Sequence, residues 1–292
     1  MTLVLSILGF ICTAFALGGY SAAAVAAQDG AKRDALRVCE DPNNLPFSNR
    51  AGDGYENKIA ELFAKELGVP VEYTWYPMQM GFARNTLKAY LPEKGRYKCD
   101  LIVGITSGFE MGATTAPYYR STYVLVYRDD AGIGDIKTLD DLLALPESKR
   151  RALKIGVFAG SPAVNWLLRH GMLGQAVFYQ AQSGSEDVTP GSILQRDLGS
   201  GKVDMTFVWG PIGGYFAKML PAAHLHLLPL HSEPGIHFDF GISMGVRYGE
   251  HEWKKTVESL LKRNHDKIIQ ILRQYNVPLV DDKGHVIRTA GN

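Results

Sequence analysis

Cysteine is scarce in this chain. There are three, Cys12, Cys39 and Cys99, and none stands in a CxxC, CxxCH or zinc-ligand spacing. Thiol exchange, attached haem and a sulfur-ligated metal are therefore excluded as organising chemistry. An excess of either charge is missing too. Lys and Arg number 31 against 30 Asp and Glu, a formal net charge of +1, so nothing draws the chain in bulk toward nucleic acid or an anionic membrane. Internal repeats and low-complexity tracts are absent, which removes solenoid architectures. Histidine is absent before His170. Past the amino terminus, no segment approaches the ~20 apolar residues of a membrane span.

The amino terminus itself is different. Residues 3–20 are mostly apolar and uncharged, and 21–27 are small. Ala24-Val25-Ala26 and Val25-Ala26-Ala27 both have the small-x-small form of a signal-peptidase site. A cleaved signal over 1–27 and a periplasmic mature protein are expected; an uncleaved anchor helix is the competing reading, since no Lys or Arg precedes the run. Cys12 would leave with the signal. An oxidising compartment favours pairing Cys39 with Cys99, whereas a stagger of about two residues between neighbouring parallel strands approaches the reach of a disulfide. The two considerations balance, and the bond stays open.

What is present centres on 99–128. Leu101-Ile102-Val103 and Tyr123-Val124-Leu125-Val126-Tyr127 are strand signals bounded by turn formers. Before them come a strand at 36–39, a helix over 56–67 stopped by Gly68, a strand at 71–76 and a helix over 81–91. Alternation of this kind predicts βαβ units and a parallel sheet, with ligands at the strand carboxyl ends. A linker-like run at 129–134 precedes a second α/β unit: a strand at 154–158, a helix opened by Ser161 as N-cap and Pro162, a helix over 191–198, a strand at 203–208 and a helix over 211–220. A strand or crossover at 225–230, a strand at 240–246 and one long helix over 253–275 complete the chain.

The order Arg37-Val38-Cys39-Glu40-Asp41, Leu45-Pro46-Phe47, Asp100 to Thr106, Pro117-Tyr118-Tyr119-Arg120 and Gly201-Lys202-Val203-Asp204 resembles the type 2 periplasmic solute-binding proteins, the amino-acid-binding branch above all. The resemblance implies an α/β fold of two lobes joined by two crossovers around a central cleft, with lobe 1 at 28–128 plus 231–292 and lobe 2 at 129–230. The crossovers are expected near 126–130 and 228–233. In that branch an Arg after the third strand holds the ligand carboxylate and an Asp in lobe 2 holds its ammonium. Here those positions carry Met111 and Trp209, and a zwitterion closed in without opposite charges is very unfavourable.

A narrower similarity runs through Asp41-Pro42-Asn43-Asn44, Gly54-Tyr55-Glu56-Asn57, Arg84-Asn85-Thr86-Leu87, Lys98-Cys99-Asp100, Thr114 to Val124 and Val208-Trp209-Gly210-Pro211. These segments resemble the MoxJ and XoxJ proteins, encoded beside PQQ-dependent methanol dehydrogenases. The similarity implies a noncatalytic accessory protein that meets a quinoprotein methanol dehydrogenase, and its cytochrome c system, by protein contact; the lanthanide-dependent branch is preferred to the calcium-dependent one. The alternatives are a transport receptor for a ligand other than an amino acid, and a periplasmic dehydratase.

Asp41, Asn43, Asn44, Arg84, Thr106, Met111, Tyr118, Ser161 and Trp209 are the residues expected to face the cleft or partner. Several have a plainer explanation: turn chemistry for Asp41, Asn43 and Asn44, an ordinary loop for Thr106-Ser107-Gly108, an N-cap for Ser161, and core packing for Trp209, whose place at a strand-to-helix turn favours the cleft. His224, His226 and His231 read as a solvated strand face rather than a metal site, and Glu186-Asp187 as loop charge. Glu40, Asp41 and Glu110 are the carboxylates that a dehydratase would draw on. No metal or cofactor is assigned.

Overall fold

The computed structural model describes residues 33–180, 188–221 and 224–287. The signal expected over 1–27, Cys12 and Glu186-Asp187 lie outside the described residues. In chain order the main strands are β1 (Leu36–Glu40), β2 (Val71–Trp75), β3 (Leu101–Thr106), β4 (Tyr119–Arg128), β5 (Ile155–Phe158), β6 (Ala176–Tyr179), β7 (Met205–Trp209), β8 (Leu225–Pro229) and β9 (Asp239–Val246). The helices are α1 (Tyr55–Leu67), α2 (Phe82–Asn85), α3 (Leu139–Ala144), α4 (Glu147–Ala152), α5 (Pro162–Arg169), α6 (Pro190–Ile193), α7 (Gly210–Met219), α8 (His251–Arg263) and α9 (His265–Gln274).

Strand order across the sheet is β6-β5-β7-β4-β9-β3-β1-β2. β1 lies parallel to β2 and β3, and every residue of it is buried, as a strand covered on both faces requires. α1 covers that half, burying Ile59, Ala60 and Phe63, and ends where Gly68 takes a left-handed φ of 69°. β5, β6 and β7 form the parallel set of the other half.

β4 belongs to both halves. Tyr119 to Thr122 pair antiparallel with β9, while Tyr123 to Tyr127 pair with β7 and Val124 to Arg128 with β8. The change of partner at Thr122/Tyr123 precedes the crossover expected near 126–130. The return segment is tied to the same point: Leu230 N–H donates to the Tyr123 carbonyl at 2.9 Å, Tyr123 N–H to Phe238 O at 2.9 Å, and Thr122 Oγ1 to Leu230 O at 2.6 Å. Two strands of chain therefore connect the halves side by side, the layout of a hinge.

Three departures from expectation have local causes. The helix expected over 81–91 is only α2, because Thr86 leaves helical geometry at φ −121°, ψ −89°. The long carboxyl-terminal helix is two, α8 and α9, broken at Asn264. That buried side chain donates to Leu260 O at 3.0 Å and to Glu66 Oε2 at 2.5 Å, anchoring the break onto α1. Cys39 and Cys99 are bonded, with their Cα atoms 5.4 Å apart. The chain bends at Lys98 and Asp100 instead of running straight into β3, and Asp100 N–H donates to Arg37 O at 2.8 Å. The bend removes the stagger that an extended strand would impose. β6, α3 and α4 carry no pattern that the sequence reading assigned.

Candidate functional site

Strand ends and helix starts converge on a cleft of about 780 Å³ between the two halves. One wall comes from the first half: Glu40 and Asp41 at the end of β1, Glu56 in the first turn of α1, Met78 and Arg84 around α2, and Thr106 and Met111 after β3. The other comes from the second half: Val188, Thr189, Pro190, Trp209 and Ile212. Tyr119 and Tyr123 of β4, with Phe240 and Ile242 of β9, close the floor between them.

Among the described lining residues every formal charge is on the first wall. Arg84 is the single cation, exposed, and the acids lie in the same half of the molecule. Trp209 ends β7 and leads into α7, edge-on to Tyr123 at 5.4 Å and to Phe240 at 6.0 Å between ring centroids. Met111 packs beside the buried Cys39–Cys99 cluster. The positions that would carry the Arg and Asp of an amino-acid clamp therefore face the cleft with a thioether and an indole.

Of the other expected residues, Asn44 and Thr106 line the cleft. Asp41 does so while serving the backbone: its Oδ1 accepts from Asn43 N–H at 2.9 Å and its Oδ2 from Met78 N–H at 2.5 Å. Asn43 lies outside the lining, paired with Asn49 in a short exposed ladder. Tyr118 packs into the core between α1 and the sheet and stays outside the lining, whereas its neighbour Tyr119, in the same core, reaches the cleft floor. Ser161 has the extended backbone of an N-cap but makes no capping bond through its side chain, and it too lies outside the lining. The loop at Thr106-Ser107-Gly108 spends its amides internally: Ser107 N–H donates to Gly241 O at 3.0 Å and Phe109 N–H to Thr106 O at 3.2 Å. His226 stacks on Tyr127 at 4.9 Å, and no group of three or more His, Cys, Asp and Glu among the described residues is placed to hold a metal.

The sequence reading missed the acid that matters most. Glu40 does belong to a carboxylate pair, but its partner is Glu56; Glu110 is exposed and outside the cleft lining. Glu40 and Glu56 are only 2% and 4% exposed, and their carboxyls lie close enough to perturb each other. Burial, then the neighbouring Glu56 charge, holds the Glu40 carboxyl well above the usual range, and burial lifts Glu56 to about 7. The backbone makes room for the pair: a Cβ on Gly104 would stand 1.9 Å from Glu56 Oε1, so any side chain there would push the carboxylate out of place. A signal for Glu56 did exist. With Ile59, Ala60 and Phe63 it falls at i, i+3, i+4 and i+7, a carboxylate on the apolar stripe of α1.

The fold and the cleft define a two-lobed periplasmic binding protein. No family model matches the chain, but solved structures do. The periplasmic binding protein XoxJ from Methylobacterium extorquens AM1 is 36% identical, covers 85% of this chain and 100% of its own, and superposes with a TM-score of 0.66. The chain belongs to the XoxJ/MoxJ family. Protein MoxJ of Paracoccus denitrificans is 28% identical over 279 residues, 90% of this chain and 96% of that protein. An ancestral cationic amino acid solute-binding protein shares the fold alone, at 20% identity and a TM-score of 0.63 over 84% of this chain and 96% of its own. No helix among the described residues is long and apolar enough to cross a membrane.

Proposed function

We propose that this protein is a noncatalytic periplasmic accessory factor of a PQQ-dependent methanol dehydrogenase, of the lanthanide type, and that it acts by protein contact. The reading takes 1–27 as a cleaved signal and divides the rest into lobe 1 (28–128 plus 231–292) and lobe 2 (129–230). Family membership supports it. The observation that carries it is the uncharged lobe 2 wall: with Trp209 and Met111 at the clamp positions, the cleft lacks a cross-lobe ionic pair for a free zwitterion among its described residues. Its apolar, aromatic lining suits the anchors that dominate protein interfaces. Affinity capture from periplasm with the purified protein tests this. Mass spectrometry should identify a quinoprotein dehydrogenase in the eluate; transporter subunits without dehydrogenase would favour a solute receptor and count against it.

One observation favours a second reading, a periplasmic dehydratase. Glu40 and Glu56 are inward-facing paired carboxylates, the arrangement that general acid–base elimination needs. Full activity toward the partner dehydrogenase in the E56Q variant would set that reading aside.

A further inference from the structure

We propose that the Glu40–Glu56 pair seats a primary ammonium group carried on an apolar stem. Both side chains are more than nine-tenths buried yet line the cleft. Glu40 Oε1 has no hydrogen-bond partner among the described residues, and neither carboxylate has an ion-pair partner among them; Arg84 stands exposed elsewhere on the same wall. A buried carboxylate oxygen left without a donor is costly, and a donor entering from the cleft would satisfy it. Tyr118 Oη, buried and also unpartnered among the described residues, lies close enough to feel both acids. The glycine at 104, which makes room for the Glu56 carboxylate, marks the pair as a built feature.

The walls decide what kind of cation fits. Phe47, Met78, Phe82, Phe109, Trp209 and Phe240 line the same cleft with carbon and aromatic faces, which suit an alkyl or aryl stem and the face of an ammonium. A metal ion would need more oxygen ligands than two carboxylates supply, and no larger ligating cluster exists among the described residues. Two carboxyls sharing one proton carry a single negative charge, so one ammonium balances the site and a zwitterion does not. The groups facing the pair are Asp41, Tyr55, Tyr73, Tyr118 and Tyr119, all neutral or acidic. Acidification therefore protonates the pair and weakens binding.

The ammonium has two sources, a small amine or a lysine side chain of a partner protein; the second rests on the accessory reading above, the first does not. Calorimetric titration of the mature protein with benzylammonium at pH 8 tests the shared chemistry without any dehydrogenase. Saturable binding is expected, weakened at least tenfold at pH 5.5 and in E40Q and E56Q, and unchanged in the surface control E110Q; benzyl alcohol should not bind. If the Gln variants unfold, the pH series alone decides. Absence of saturable benzylammonium binding, binding equal to that of benzyl alcohol, or tighter binding of calcium ion overturns the proposal. Dehydrogenase capture then separates the sources: loss of capture in E56Q assigns a partner lysine, and unchanged capture with lost benzylammonium binding assigns a small amine.

Discussion

The two lobes share an architecture and differ in how they handle charge. Lobe 1 buries ions throughout. Arg247 bonds Asp100 Oδ1 and Glu250 Oε1 at 2.6 Å each, donates to Leu87 O at 3.0 Å and to Cys99 O, and lies 4.2 Å from the Tyr97 ring centre. The same lobe holds the Glu40–Glu56 pair at the cleft. Lobe 2 packs Trp166, Phe207, Met205 and Val157 around β5 and β7 with no comparable buried network among its described residues, apart from Asp197, which Arg196 and Lys202 neutralise. Burying charge costs stability unless every group is partnered. Lobe 1 is thus the part that presents charge to the cleft, and lobe 2 supplies a lid that is neutral among its described lining residues.

The largest test of that contrast is Arg247→Met. It strands Asp100 and Glu250 inside lobe 1 and should cost about 3–5 kcal/mol, read as a lower urea midpoint; a cost under about 1 kcal/mol would mean that lobe 1 does not depend on its ions. Replacing Cys39 and Cys99 together with Ala opens a link between residues separated by 60 positions. The loop-entropy relation sets the loss at about 4 kcal/mol, and oxidised wild type compared with the variant by calorimetry measures it.

A smaller effect follows pH. The folded pKa of Glu56, about 7, lies above the unfolded value of 4.5. Its stabilising contribution is therefore complete below about pH 4.5 and is lost as pH rises through 7. The unfolding midpoint should fall between pH 5 and pH 8 in wild type and stay flatter in E56Q. A midpoint that rises over that window would place the pair outside the folded protein's proton balance. Least perturbing to stability is Trp209→Ala on the lobe 2 wall. It should weaken capture of the dehydrogenase at least tenfold, about 1.4 kcal/mol, with circular dichroism unchanged; equal capture would remove the lid from the contact.

The class of fold was legible because β3 opens on the apolar run 101–103, β4 holds another at 123–127, and helices such as α1 carry a clear stripe and a Gly68 stop. That Met111 and Trp209 line the cleft was legible too, since both sit at fixed offsets after strands. What stayed hidden depends on tertiary contact. No local pattern reports that Asn264 reaches Glu66 and breaks the last helix, or that Lys98 and Asp100 bend so that two cysteines meet. Glu56 is the instructive case: it was visible on an apolar stripe, but its chemistry depends on Glu40, sixteen positions earlier in the chain, and on the bare Cα of Gly104 from a third element.

Among the described lining residues the charge of the cleft is confined to one wall. Isothermal titration of the mature protein with each of the twenty free amino acids at pH 8 addresses it most directly. No saturable heat is predicted for any of them, lysine's second ammonium notwithstanding, because its α-carboxylate meets no buried cation among the described lining residues. Micromolar binding of a free amino acid would contradict the account.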